Sequence, residues 1–207
     1  RPDFVVRHAR MRAKLIAFLR GPAETFRKYP ASDNSLSGRY ARSIARHKQR
    51  RTGKALELIR GLLAEYPGDP YFHEFHGQIL LESGRAAAAV APYERAVALA
   101  PNSVLLRIGL GQAQVSAEDD RYIGPAIENM RRAVRLAPGN AAAWRWLGMA
   151  LGRHGETGPA APATAERYFL TGKFRAAIGP AARGARPLAK GTPGRLRAQG
   201  TNAAAAR

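Results

Sequence analysis

The sequence predicts an all-α fold, a solenoid of helical hairpins behind an N-terminal capping helix, and three observations predict it. First, Pro67, Pro101 and Pro138 punctuate the chain at intervals of 34 and 37 residues, each after an apolar helix end that proline cannot extend. Second, small residues keep phase with these prolines. Gly77, Gly111 and Gly148 each follow a proline by ten residues, and Ala55, Ala89 and Ala126 each precede one by twelve. Third, apolar residues recur at helical spacing, as in the Trp144, Leu147, Gly148 triplet at i, i+3, i+4, and no segment reads as a strand.

Each element follows from this frame. Residues 1–35 form a linker and capping helix, in which Met11, Leu15, Phe18 and Leu19 make an apolar stripe expected to pack on the first repeat. Residues 36–172 hold about four hairpins. A large apolar residue (Ile59, Tyr93, Met130) lies between the phased small positions of each second helix. Glycine at a helical crossing predicts close approach of two helices, because elsewhere in a helix it only costs stability. Gly84 and Gly155 supply turns inside two hairpins; Arg50 stands where the first would want glycine. The three extra residues between Pro101 and Pro138 fall in the polar stretch 117–121. Residues 173–207 begin as a helix at Phe174, and Gly and Pro then interrupt a basic tail.

Composition narrows function. The 207 residues carry 34 Lys plus Arg against 15 Asp plus Glu, a net charge of +19, and no cysteine. Disulfide scaffolds, thiolate-bound zinc and thiol nucleophiles are therefore excluded. No apolar run reaches the roughly 18–20 residues of a membrane-spanning helix. Residues 1–60 carry a net +12, 61–120 a net −5 and 171–207 a net +8. The densest basic run holds Arg42, Arg46, Lys48, Arg50, Arg51 and Lys54. Such a run can dock phosphate or an anionic surface, or it can be a solvated helix face. Tyr40 is the one aromatic beside it, fewer than single-strand binders use for base stacking.

Catalytic chemistry finds no home. His73-Glu74-Phe75-His76 places its histidines at i, i+3, whereas a zinc-peptidase helix needs them at i, i+4. Packing within a first helix is the expected role of both. His8, His47 and His154 are isolated, and no phosphate loop or Ser-His-Asp set is present. The expectation is a chain with no catalytic residues and no cofactor or metal of its own.

The phased prolines, glycines and alanines resemble the tetratricopeptide repeat, with His76, Arg50, Thr164 and Arg167 departing from its pattern. That resemblance implies an inner groove lined by the first helix of each hairpin. Positions two, five and nine of those helices give Tyr40 and Ile44, then Tyr71, Glu74 and Gln78, then Leu105, Ile108 and Gln112, then Arg145 and Met149. The surface is mixed apolar and amide, suited to an extended peptide or a partner helix. Some of these residues would instead fill contacts between repeats or meet the cap helix. The Lys/Asn carboxylate clamp of chaperone-binding repeats is unmatched, since Tyr40, Ile44 and Glu74 occupy its places.

A second resemblance is more specific. Residues 11–15, Phe18-Leu19, 29–36 and 39–42 are similar to the junction between protease domain and repeats in bacterial M48-type zinc metallopeptidases. Residues 70–74, 77–80, 106–108 and 194–199 fit that family too. The resemblance implies a periplasmic region that holds unfolded or outer-membrane proteins near a protease domain. That domain, with its zinc, would lie upstream of Arg1, making this chain a piece of a longer protein. The competing expectation is a free-standing basic repeat protein that binds nucleic acid or an anionic surface.

Overall fold

The computed structural model describes residues 2–185 together with 200 and 203, and the described residues contain helices and turns but no strand. Two compact units divide the chain, Arg1–Leu99 and Ala100–Arg207. The first holds α1 (Pro2–Leu19), α2 (Gly21–Lys28), α3 (Leu36–Lys48), α4 (Thr52–Glu65), α5 (Pro70–Glu82) and α6 (Ala86–Leu99). The second holds α7 (Val104–Ser116), a 3₁₀ turn (Asp120–Tyr122), α8 (Ile123–Leu136), α9 (Ala141–Arg153), α10 (Thr157–Leu170) and α11 (Phe174–Ala185). The expected tail beyond 185 lies outside the described residues, apart from the isolated positions 200 and 203.

Four hairpins, α3–α4, α5–α6, α7–α8 and α9–α10, repeat one set of local devices. Asp69 and Asn140 accept backbone N–H groups at the starts of α5 and α9, and Ser35 does so for α3, satisfying donors that a helix start leaves open. The phased prolines carry a second device. His73 Nε2 lies 2.9 Å from the Pro67 carbonyl, Arg107 Nε 2.8 Å from that of Pro101, and Trp144 Nε1 2.7 Å from that of Pro138. In each case the donor stands six residues after the proline. Three different side chains thus satisfy the equivalent carbonyl after each phased proline.

Inside each hairpin the chain reverses through a left-handed residue: Arg50 (φ 59°), Gly84 (φ 76°), Glu118 (φ 55°) and Gly155 (φ 82°). The spacing is 34, 34 and 37 residues, so the three-residue insertion follows Glu118 and becomes the 3₁₀ turn. Arginine at such a φ pays about 1–2 kcal/mol of steric strain that glycine avoids. Arg50 is also exposed. Arg50→Gly is therefore expected to stabilise the protein by about 0.5–1 kcal/mol after glycine's greater unfolded-state entropy is subtracted. Urea unfolding of the two proteins checks this; a lower midpoint for the glycine variant would contradict it.

The phased glycines mark helix crossings. A β-carbon on Gly77 would sit 2.6 Å from Tyr93 Cδ2, and one on Gly111 2.5 Å from Met130 Cε. Tyr40, Phe72, Phe75, Ile44, Ile59, Leu62 and Ile79 are the large, fully buried side chains of the first unit. In the second, Ile127, Met130, Trp144, Trp146, Leu147 and Leu151 form one core cluster, with Ile108 packed against it.

Candidate protein-binding groove

The inner faces of the two units differ because α1 covers one of them. Ala13 and Ala17 are fully buried, and these small side chains let α1 pack closely along α3. The two helices run in the same direction. Ser37 Oγ donates to the Ala9 carbonyl at 3.3 Å, and Lys48 Nζ donates to the carbonyls of Ala17 (3.2 Å) and Phe18 (2.8 Å). Lys48 thereby caps the C-terminal end of α1, where carbonyls lack partners and a cation is favoured.

Side chains on α1 also reach α5. The Arg10 guanidinium stacks on the Tyr71 ring at 4.2 Å and pairs with Asp69, the residue that caps α5. Lys14 Nζ lies 3.1 Å from Glu74. Glu74 and Tyr71 are groove positions in the repeat pattern, and here they hold the chain's own helix. Gln78 donates to Glu82 at 2.7 Å, and Glu82 lies 2.7 Å from His47 Nε2. Tyr40 and Ile44 are corrected more strongly. Both are fully buried, with Tyr40 edge-on to Phe72 (5.1 Å) and Phe75 (5.5 Å). Burial, and after it the charge of Glu74, pushes the Tyr40 phenol well above its usual range. These two residues are core, not groove.

The apolar stripe of α1 is likewise corrected. Met11 (56% exposed), Leu15 (52%) and Leu19 (77%) face outward, and the alanine face packs inward. His76 is half-buried, and burial lowers its pKa to about 4, so it packs as a neutral ring. Among the described residues no group of three His, Cys, Asp or Glu is placed to hold a metal ion.

In the second unit the same helical positions are open. Leu105 is 76% exposed and Met149 43%; Arg145 is exposed, and Ile108 and Gln112 are half-buried. Leu105, Ile108 and Gln112 share one phase of α7, and Arg145 and Met149 take the matching phase of α9, which packs beside it. The Arg145 guanidinium lies 5.1 Å over the Trp146 ring, which holds it in place. Continuing the phase onto α11 adds Arg175 and Ile178, both exposed. The sequence reading started a helix at Phe174 but projected groove positions only onto the four hairpins, so these two were not named.

Three cations of the basic run are engaged within the first unit. Arg42 is buried, donating to the Pro30 carbonyl at 2.5 Å, and burial lowers its pKa. Arg46 lies 4.5 Å over the Phe26 ring, Lys48 caps α1, and Arg50 makes the turn. Arg51 precedes α4, and Lys54 is exposed on it. Arg42, Arg46 and Lys48 thus serve the fold, while Arg51 and Lys54 face solvent.

The family model for the tetratricopeptide repeat matches residues 39–104 and 125–190, nearly two thirds of the chain. The chain belongs to the tetratricopeptide-repeat family. As a tetratricopeptide-repeat protein it is a protein-interaction scaffold. The β-barrel assembly-enhancing protease of Yersinia pestis is 27% identical over 144 residues, 70% of this chain; the chain spans 29% of that protease's length. Solved structures share the fold. The MamA 41-end protein of Desulfovibrio magneticus RS-1 is 22% identical with a TM-score of 0.65, over 81% of this chain and 96% of its own. YrrB, described as a tetratricopeptide-repeat protein with an unusual peptide-binding site, is 15% identical with a TM-score of 0.64, over 85% and 89%. Among the described residues no helix is long and apolar enough to cross a membrane.

Proposed function

We propose that this repeat protein binds extended or unfolded polypeptide on the inner face of its Ala100–Arg207 unit, as the partner-holding region of a periplasmic M48-type zinc metalloprotease. One observation carries the reading. The chain's own α1 covers the inner face of the first unit, while Leu105, Ile108, Arg145 and Met149 leave the matching face of the second open. Apolar side chains beside one guanidinium suit a segment with alternating apolar residues and an occasional carboxylate. The likeness to the Yersinia pestis protease supports the protease context, and with it a client that is an unfolded outer-membrane β-barrel. In that context zinc belongs to the protease domain, and this chain contributes no catalytic group.

The test dilutes a urea-unfolded outer-membrane β-barrel protein into buffer with the chain and follows aggregation by light scattering. The wild-type chain is expected to suppress aggregation, and a Leu105→Ser/Met149→Ser variant to lose most of that effect. Truncating two apolar contacts of this size should weaken binding by about tenfold or more. Equal protection by the double variant would refute the groove. The competing nucleic-acid reading would show as oligonucleotide binding that falls steeply with salt. The structural roles of Arg42, Arg46 and Lys48 argue against it.

A further inference from the structure

The second unit segregates charge by sign. Its inner helices α7, α9 and α11 carry five arginines and no Asp or Glu. The acidic residues of this unit stand elsewhere: in the turn at 118–120, on α8 (Glu128), and before or on α10 (Glu156, Glu166). Two of the five arginines are used inside the unit. Arg107 donates to the Pro101 carbonyl and to Asn129, both at 2.8 Å, and Arg153 donates to the Val115 carbonyl at 2.6 Å and to Asp120 at 3.2 Å. Arg183 follows Ile178 by five residues, about 140° off the groove phase.

Arg145 and Arg175 remain, and both hold the groove phase. Each is exposed, and among the described residues neither reaches a carboxylate. The rest of the chain's C-terminal segment cannot supply one, because no Asp or Glu follows Glu166 in the sequence. Their neighbours at the same phase are Leu105, Ile108, Met149 and Ile178. A segment laid across these apolar side chains lowers the dielectric around both guanidiniums, so a carboxylate there is bound more strongly than in water.

The first unit holds the opposite sign at the equivalent place. Position five of α5 is Glu74, and the helix lying over it presents Lys14 at 3.1 Å. Position five of α9 is Arg145, so a segment lying over it must present an acid. Basic segments are repelled, and the net charge of +19 opposes a second copy of this chain. Nucleic acid is anionic too, but the groove phase holds no aromatic for bases to stack on; Trp144 and Trp146 are each only 8% exposed.

We propose, resting on that groove as the binding face, that Arg145 and Arg175 make it selective for polypeptide segments that carry Asp or Glu among their apolar residues. The two arginines are specificity-determining, while the apolar side chains supply most of the contact area.

The test titrates the full chain with three synthetic peptides of equal length, followed by fluorescence anisotropy. All carry the same leucines, interspersed with Glu, Gln or Lys. The Glu peptide is expected to bind tightest, the Gln peptide about five- to tenfold more weakly and the Lys peptide more weakly still, with raised salt narrowing the gap. An Arg145→Gln/Arg175→Gln variant should bind the Glu and Gln peptides alike. Both arginines are exposed, so its circular dichroism spectrum and unfolding midpoint should match wild type. Equal binding of the Glu and Gln peptides by wild type overturns the proposal, as does a double arginine variant that keeps the preference. An oligothymidylate that displaces the Glu peptide at equal concentration also overturns it. Leu105→Ser/Met149→Ser separates this failure from that of the groove itself. If that variant weakens every peptide while wild type does not distinguish Glu from Gln, the groove stands and the selectivity falls. If it binds the Glu peptide as wild type does, the groove falls and the proposal with it.

Discussion

Replacing Gly77 with alanine is expected to destabilise the first unit by about 1–3 kcal/mol, the usual range for adding volume to a well-packed crossing. The added β-carbon would meet Cδ2 and Cε2 of Tyr93 at 2.6 and 2.8 Å, and that ring is only 5% exposed. Alanine's better helix propensity recovers only about 1 kcal/mol. Gly111→Ala should cost less, because the obstructing atoms belong to the flexible thioether of Met130. Gly148→Ala should cost least, since its nearest neighbour is the Thr164 hydroxyl at 3.2 Å. Urea unfolding of the three variants gives the order directly. Equal costs at Gly77 and Gly111 would show that the tyrosine ring is not the obstacle. Combining Gly77→Ala with Tyr93→Leu should cost less than the sum of the two, because the clash and the cavity relieve one another.

Tyr40→Ala is expected to be the most damaging substitution in the first unit, about 3–5 kcal/mol, as for other buried aromatic truncations. It removes the ring that packs edge-on to Phe72 and Phe75 beneath α1. Tyr40→Phe should behave differently. The buried hydroxyl finds no hydrogen-bond partner among the described residues, so losing it should be neutral or stabilising by about 1 kcal/mol. Trypsin supplies a second readout. With Tyr40 truncated, α1 should loosen and be cut at Arg10, Arg12 or Lys14, whereas the phenylalanine variant should resist like wild type. A Tyr40→Phe variant as unstable as Tyr40→Ala would mean that the hydroxyl, not the ring, anchors this core.

The hairpins were legible because their signals are local. A proline that ends a helix, a carbonyl satisfied six residues later and a left-handed turn residue each act within one hairpin, and their phase of 34 residues is countable. Arg50 shows that such a signal survives an unfavourable residue: the turn keeps its left-handed φ of 59° although arginine is strained there. Pro92 and Pro162 show the reverse. Both lie inside helices, α6 and α10, that continue past them. Packing of Val90, Tyr93 and Ala96 in the first case holds together a helix that propensity alone would break.

The groove was legible only in part. Helical phase assigns Tyr40, Glu74, Ile108 and Arg145 to equivalent positions, the fifth of α3, α5, α7 and α9. Accessibility is another matter, because it depends on what packs above each position. A hydrophobic-stripe rule turns Met11, Leu15 and Phe18 of α1 inward, but the space beside α3 admits only Ala13 and Ala17 at close approach. Arg10 and Lys14 then find Asp69 and Glu74 at hydrogen-bonding distance, about sixty residues away in sequence. The sequence by itself determined the four hairpins, their glycine crossings and the repeat family, because each rests on backbone preferences and contacts within one hairpin; it named neither α2 nor the turn at Glu118. Only the tertiary structure decided which inner face is open and which side of α1 faces solvent. Those outcomes depend on side-chain volume and charge meeting across long separations, which no local pattern records.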